Sequence, residues 1–190
     1  MGLTRLTAPA VEPVTLAEAK AHLRVEHSAD DTLISALIVA AREAAESRTG
    51  RALITQTWRS THAEWPDDIA LPRPPLVSVQ TVTYLDADGV RQTLAGSSYL
   101  VITDSLVGNI LPAYGASWPT ARAEPGSIRI DYTAGYGNAA AVPQALKVWM
   151  LLVIGTWYSQ REAIVTGTIV NEIPRGFWEG LLDPYLIHQL

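Results

Sequence analysis

The 190-residue chain has no cysteine, a single phenylalanine and two methionines. Without cysteine there is no disulfide framework, no thiolate nucleophile and no cysteine-based zinc site. The absence fits a reducing cytoplasm. Charge is sparse as well: Asp, Glu, Lys and Arg make up 17% of the residues, against about a quarter in ordinary soluble domains. That shortfall is consistent with surface covered by other subunits. The balance is acidic, with net charge −5 and 14 basic residues scattered along the sequence. Phosphate recognition needs clustered Lys and Arg, so a general nucleic-acid binder is not expected. Long apolar runs are missing too. The greasiest stretch, 148–154, falls well short of the roughly 20 residues that span a bilayer. The opening MGLTRLTAPAVEP lacks the apolar core of a secretory signal, and Leu6 stands where a myristoylation motif needs Ser or Thr. A soluble chain is expected.

What is present is 48% hydrophobic residues, enough for a real core in one large domain or two small ones. The C-terminal quarter, 142–190, is the most apolar part. In PQALKVWMLLVIGTWYSQRE, Leu146, Trp149, Met150, Val153, Ile154 and Trp157 form one helical stripe. Val148, Leu151 and Leu152 lie off that stripe and are apolar too. Such a helix is buried on most sides, within its own domain or against another chain. Pro143 suits its first turn. After AIVTGTIVNEIP, the tail RGFWEGLLDPYLIHQL carries Phe177, Trp178, Leu181, Leu182 and Tyr185 at helical spacing.

At the other end, residues 1–13 read as an extended arm. Thr15 caps a short helix, LAEAKAHLRV, with Glu18 completing a capping box. Asp30 or Asp31 caps a longer one, TLISALIVAAREAAESRT. Its expected buried stripe is Leu33, Ile34, Leu37, Ile38, Ala41 and Ala45, and Gly50 is its natural stop. After Gly50 the pattern alternates. ITQTWRSTHAEW, VSVQTVTYL, VRQTLA, SSYLVI, GNILP and SIRIDYTAG read as strands, and Asp86-Ala87-Asp88-Gly89 makes a hairpin turn. LPRPPL is a stiff extended link. Five to seven strands are expected between about 54 and 134. The fold class is therefore α+β: a helical domain, made of an N-terminal helix pair and C-terminal helices, with an inserted antiparallel all-β unit. The expected segments are 1–53 (arm and helices), 54–134 (β domain) and 135–190 (C-terminal helices and tail).

No catalytic or metal constellation emerges. Gly135-Tyr136-Gly137-Asn138-Ala139-Ala140 matches a dinucleotide fingerprint, but no parallel strand follows to close a βαβ unit. A glycine turn from sheet to helix is the better reading. Asp86-Ala87-Asp88-Gly89 starts like a calcium loop, yet Ser97 sits where the bidentate Glu belongs. His22, His27, His62 and His188 share no ligand spacing. Gly115-Ala116-Ser117 lacks the last glycine of a nucleophile elbow. Trp58, Trp65 and Trp118 could form an aromatic platform, although such residues more often fill a small β core. The expectation is a protein that is not an enzyme and has no cofactor.

In this order, PVTLAEAKAHLRV, DDTLISALIVAAREAAESRTGRALITQTW, LPRPPLVSV, IRIDYTAGYG, VPQALKVWMLL and LLDPY resemble the head–tail connector (adaptor) proteins of tailed bacteriophages and prophages. The resemblance covers nearly the whole chain. It is firmest in the opening helix pair and Thr49-Gly50-Arg51, and weakest at 98–125. It implies a structural ring, usually of twelve copies, beneath the portal of the filled capsid. Such a ring extends the DNA channel and offers a platform to the stopper or tail. The implied partners are the portal protein, neighbouring copies, and a stopper or tail protein; DNA passes through without specific binding. The implied location is the virion neck, after synthesis in the bacterial host cytoplasm. Neighbouring helices would meet through Leu33, Leu37, Ala41, Trp149, Leu152 and Trp157. The tail would meet the portal through Ile173, Phe177, Trp178, Leu181, Leu182 and Tyr185. Two alternatives stay open: another neck or tail-completion protein, and a small ligand-binding or hydrolytic β module.

Overall fold

Capping chemistry sets where the helices begin and end. Thr15 caps α1 (Leu16–Leu23): its hydroxyl accepts from the Glu18 N–H, and the Glu18 carboxylate accepts from the Thr15 N–H at 2.7 Å. Helix α2 (Asp31–Thr49) stops at Gly50, whose φ of 73° is left-handed and whose N–H returns to the Glu46 carbonyl. Helix α3 (Gln144–Ser159) starts directly after Pro143. The computed structural model describes residues 1–160 and 176–187. The chain divides into two units, Val11–Leu53 with Gly137–Leu190, and Met1–Ala10 with Ile54–Tyr136. It is an α+β protein in which an antiparallel β region is inserted between the helices.

In the helical unit α2 packs on α3, and α1 touches both. Ile34, Ile38, Ala41 and Ala45 of α2 meet a core that includes Leu146, Trp149, Met150, Val153 and Ile154 of α3. Full burial of each large side chain contributes about 1.5–3 kcal/mol. The α2 stripe differs from the expected one. Leu33 is 39% exposed and Leu37 is half-buried, while Arg42, Glu46 and Thr49 are buried. Hydropathy counts only apolar positions. A charge that finds its partner inside can occupy the buried face, and the stripe turns accordingly. In α3, Trp157 at the end of the expected stripe is 37% exposed.

The β unit has one strand more than its middle segment supplies. Seven strands lie between Gln56 and Ala134: β2 (Gln56–His62), β3 (Ile69–Ala70), β4 (Leu76–Leu85), β5 (Arg91–Thr93), β6 (Tyr99–Ile102), β7 (Asn109–Pro112) and β8 (Ile128–Ala134). The eighth is β1 (Gly2–Thr7), antiparallel to β2. Residues 1–10 therefore belong with the β unit, not with the helices, and are not a free arm. As an edge strand β1 is held by backbone pairing, and only Leu3 is even partly covered, so it leaves no apolar alternation to read. One sheet has the order β1-β2-β8-β4-β5; the other is β3-β7-β6. All pairs are antiparallel.

Strand β8 shows the two-residue period plainly. Ile128, Ile130, Tyr132 and Ala134 are fully buried, and Arg129, Asp131 and Thr133 point to the other face, partly exposed. The buried Tyr132 hydroxyl donates to the Pro72 carbonyl at 2.8 Å. The Asp86 carboxylate ties the β4–β5 turn by accepting from the Asp88 and Val90 N–H groups. At the end of β8, Gly135 has φ 126°, and a Cβ there would lie 2.3 Å from the Ile54 carbonyl oxygen. The glycine-rich 135–140 stretch is thus a close backbone crossing. It is followed by a turn that the Asn138 side chain caps by accepting from Ala140 and Ala141.

Two outcomes follow for stability. Gly135→Ala should destabilise by about 3 kcal/mol or more, because it combines left-handed strain with a backbone clash. Gly96→Ala, with open space around it, serves as the neutral control in the same urea titration. His62, with its ring 2.9 Å from the Ser60 hydroxyl, is held below the ordinary histidine value of 6.5 by burial and, secondarily, by the amino terminus. A depressed histidine binds its proton more readily in the unfolded chain. Stability is therefore full above 6.5 and falls as pH drops from 6.5 towards the folded value. His62→Gln should flatten that slope in unfolding curves measured across this range.

Candidate assembly interface

The helical unit is organised around a buried charge cluster. Arg42 donates from Nε to Glu12 at 2.8 Å and from a terminal nitrogen to Glu46 at 2.9 Å, with Glu43 at 3.5 Å. The Arg42 and Glu46 side chains are 4% and 7% exposed. The second Glu46 oxygen accepts from the Leu53 N–H at 3.0 Å. Burial disfavours the Arg42 charge, but Glu46, Glu12 and Glu43 outweigh it and hold the guanidinium above its ordinary value. Burial likewise pushes the Glu12 carboxyl up, with Arg42 pulling the other way. Two further links brace the helices: Lys20 to Asp31 at 2.6 Å, and the Tyr158 hydroxyl to Asp30.

The described part of the tail folds back on this unit. Trp178 of α4 (Gly176–Glu179) lies 5.9 Å from the Trp149 ring. The Arg48 guanidinium sits 5.6 and 5.7 Å from the two rings and pairs with Glu179 at 3.1 Å. Arg51 donates to the Tyr185 carbonyl at 2.7 Å, and the Ile187 N–H to the Thr49 carbonyl at 2.9 Å. Leu182 is buried, and Trp178, Leu181 and Tyr185 are half-buried. Ile173 lies outside the described residues, and so does the side chain of Phe177.

Of the helical positions expected at a subunit contact, Ala41 and Trp149 are buried in the chain's own core. Leu33, Leu152 and Trp157 remain 36–39% exposed, alongside Val39 and Val148. Helix α3 contains no acidic residue and one lysine, Lys147. An open groove of about 620 Å³ is lined mainly by apolar side chains, among them Val11, Val14, Leu16, Ile38 and Val39, with Glu12 at its edge. In the β unit, Trp65 and Trp118 stack on each other at 4.6 Å and 8°, and Trp118 donates to the Pro66 carbonyl. Their faces are used in pinning two loops together.

Three comparisons bear on this arrangement. Residues 13–86, from the turn before α1 to the end of β4, match the phage gp6-like head–tail connector protein family. The full chain is similar to a chain in the neck of an empty gene transfer agent particle computed with C6 symmetry. The TM-score is 0.82 at 26% identity, covering 100% of this chain and 97% of that one. By that match and this likeness the chain resembles the head–tail connector proteins of tailed phages and phage-like particles. A chain in the neck of the native gene transfer agent particle, computed with C12 symmetry, gives a TM-score of 0.80 at 27% identity with the same coverage. A chain in the virion of the native gene transfer agent gives 0.80 at 26%. No curated protein sequence matches. The matched family is one of structural connector proteins, consistent with a chain that is not an enzyme.

Sequence reasoning missed the buried Arg42–Glu46 pair, although Arg-x-x-x-Glu at helical i,i+4 spacing was there to be read. Arg42→Ala should cost about 3–5 kcal/mol, since it strands buried carboxylate. The double variant Arg42→Met, Glu46→Leu should lose much less, because it removes both charges together. Denaturant unfolding of the three proteins checks the order.

Proposed function

We propose that copies of this connector form a ring, of twelve in the particle, in the neck between portal and tail. The ring continues the DNA channel and gives the stopper or tail its platform. The observation that carries this reading is the end-to-end likeness to neck chains, which includes the β region as well as the helices. The virion neck is its place of action.

The exposed apolar positions support a head-to-tail contact, in which a patch on one copy meets a different patch on the next. Leu33 and Val39 of α2 supply one side; Leu152 and Trp157 of α3, with Val148, supply the other. Leu37 flanks the first patch. Ala41 and Trp149 act from beneath, by fixing how α2 and α3 pack. For the portal contact the tail residues Ile173, Phe177, Trp178, Leu181 and Tyr185 stay candidates. Buried Leu182 acts as the anchor that holds the tail on its own subunit.

Purified, portal-bearing, tailless capsids from the same genome provide the test, read by electron microscopy. Added density at one vertex only is the expected result. Leu152→Glu with Trp157→Glu should abolish that density while leaving the far-UV circular dichroism and the unfolding midpoint of the free chain nearly unchanged. Absence of binding by the folded wild type to intact portal vertices would sink the adaptor role. Retained binding by the double variant would move the subunit contact elsewhere.

A further inference from the structure

The larger sheet of the β unit has an outer face with a composition of its own. Strand alternation and pairing register put Thr57, Arg59 and Thr61 of β2 opposite Thr133, Asp131 and Arg129 of β8. Ser78, Thr81 and Thr83 of β4 continue the rows, and Thr93 and Arg91 close them on β5. Between Val77 at a bulge and Leu85 at the strand end, every registered position on this face is Thr, Ser, Arg, Asp or Gly. Thr4, Ser78, Thr81 and Thr93 are exposed. Four inter-strand spacings make the face about 19 Å wide.

Three arginines, distant in sequence, converge on it. Arg59 is held by Asp131 in a two-pronged pair at 2.6 and 2.7 Å. Arg91 donates to the Ser127 and Gly126 carbonyls and to Thr83. Arg129 has no hydrogen-bonding or ion-pair partner among the described residues. Glu124, at the rim, is paired with Arg122 at 3.0 Å. Burial and then the like charges of Arg129 and Arg59 lower the affinity of Arg91 for its proton, a sign that positive charge accumulates here. A chain of net charge −5 thus carries a face with three arginines against one aspartate.

We propose that this face docks the phosphate backbone of duplex DNA, without reading sequence. Guanidinium and hydroxyl donors are the groups that contact phosphate. A stable protein interface needs apolar or aromatic anchors in its centre, and the centre of this face has none. The charge sign selects a polyanion. The choice of duplex DNA among polyanions rests on the neck reading above. With Arg59 already neutralised, about two phosphates are engaged per copy. The contact is weak and easily broken by salt, which permits DNA to move past it.

The test is an NMR titration of the free, full-length connector with a short duplex DNA at low salt. Amide shifts should be confined to the outer-face residues of β2, β4, β5 and β8. The log–log dependence of binding on salt should have a slope of about −2. Arg129→Gln should weaken binding and reduce the slope by about one; Asp131→Asn, which frees Arg59, should strengthen binding. A parallel titration with polyglutamate separates an acidic protein from DNA. Shifts elsewhere, no shifts at low salt, or polyglutamate binding as tightly as DNA would each overturn the proposal. No particle is involved, so such a failure leaves the neck reading untouched. Failure of wild-type capsid attachment beside a positive titration would overturn the neck reading instead, and with it the choice of duplex DNA among polyanions.

Discussion

The contact between Arg42 and Glu46 is the constraint on which the helical unit depends. Removing two ions from water carries a penalty of several kcal/mol per ion, and their attraction does little better than offset it. Its value is geometric. Apolar helix faces pack in several nearly equivalent ways, because ridges fit grooves at more than one offset. An ion pair with fixed donors fits only one. Glu46 divides its two oxygens between Arg42 and the Leu53 N–H, and Arg42 reaches back to Glu12. Residues 12 and 53 are near the points where the chain enters and leaves the first part of this unit. One cluster therefore fixes the entry, the helix and the exit together.

Placing charge inside the unit has a consequence outside it. The buried face of α2 is used by Arg42, Glu46 and Thr49 as well as by aliphatics, so Leu33 and Val39 are displaced towards solvent. Helix α3 has an apolar surplus of its own in Val148, Leu152 and Trp157. In the helical unit part of the charge is thus interior, and part of the apolar surface is exterior. A monomer gains nothing from that inversion, whereas a member of the proposed ring would cover the exposed residues with its neighbour. The tail follows the same economy, since Arg48 over Trp149 and Trp178 closes the unit at the end of α2.

Much of this was legible in the sequence where local chemistry decides. The Thr15–Glu18 box, the Gly50 stop, the α3 stripe and the Asp86–Gly89 turn each depend on residues within a few positions of one another. What was not legible depends on partners far along the chain. Strand β1 is an edge, so its side chains carry no alternation, and its identity lies in backbone bonds to β2. The turn of the α2 stripe needs Glu12 and Leu53 as well as Arg42 and Glu46. The fold-back of the tail needs Thr49 and Arg51. The fourteen basic residues look scattered in sequence, yet Arg59, Arg91 and Arg129 are brought to one face by the order β2-β8-β4-β5. Sequence spacing measures distance along the chain, and a sheet abolishes that measure.

The two units divide the physical means of association. The exposed large apolar residues of α2 and α3 carry no charge, so contacts built on them rest on removal of apolar surface from water, and ordinary salt does not weaken them. The outer sheet face is mostly hydroxyl and guanidinium, so what it would bind is held by charge and wet hydrogen bonds, screened over about 10 Å at 0.1 M salt. In the proposed neck ring, one that guides DNA, a single subunit would have to satisfy both demands. It must hold its neighbours under every ionic condition the particle meets, and it must not hold its cargo. Segregating apolar surplus on helices and polar surplus on a sheet meets both, because the period of each element sorts side chains by face. In α3 the period of 3.6 leaves one apolar stripe for the core and a second, of Val148, Leu152 and Trp157, at the surface. In β8 the period of two sends Ile128, Ile130 and Tyr132 inward and, from the same seven residues, sends Arg129, Asp131 and Thr133 outward.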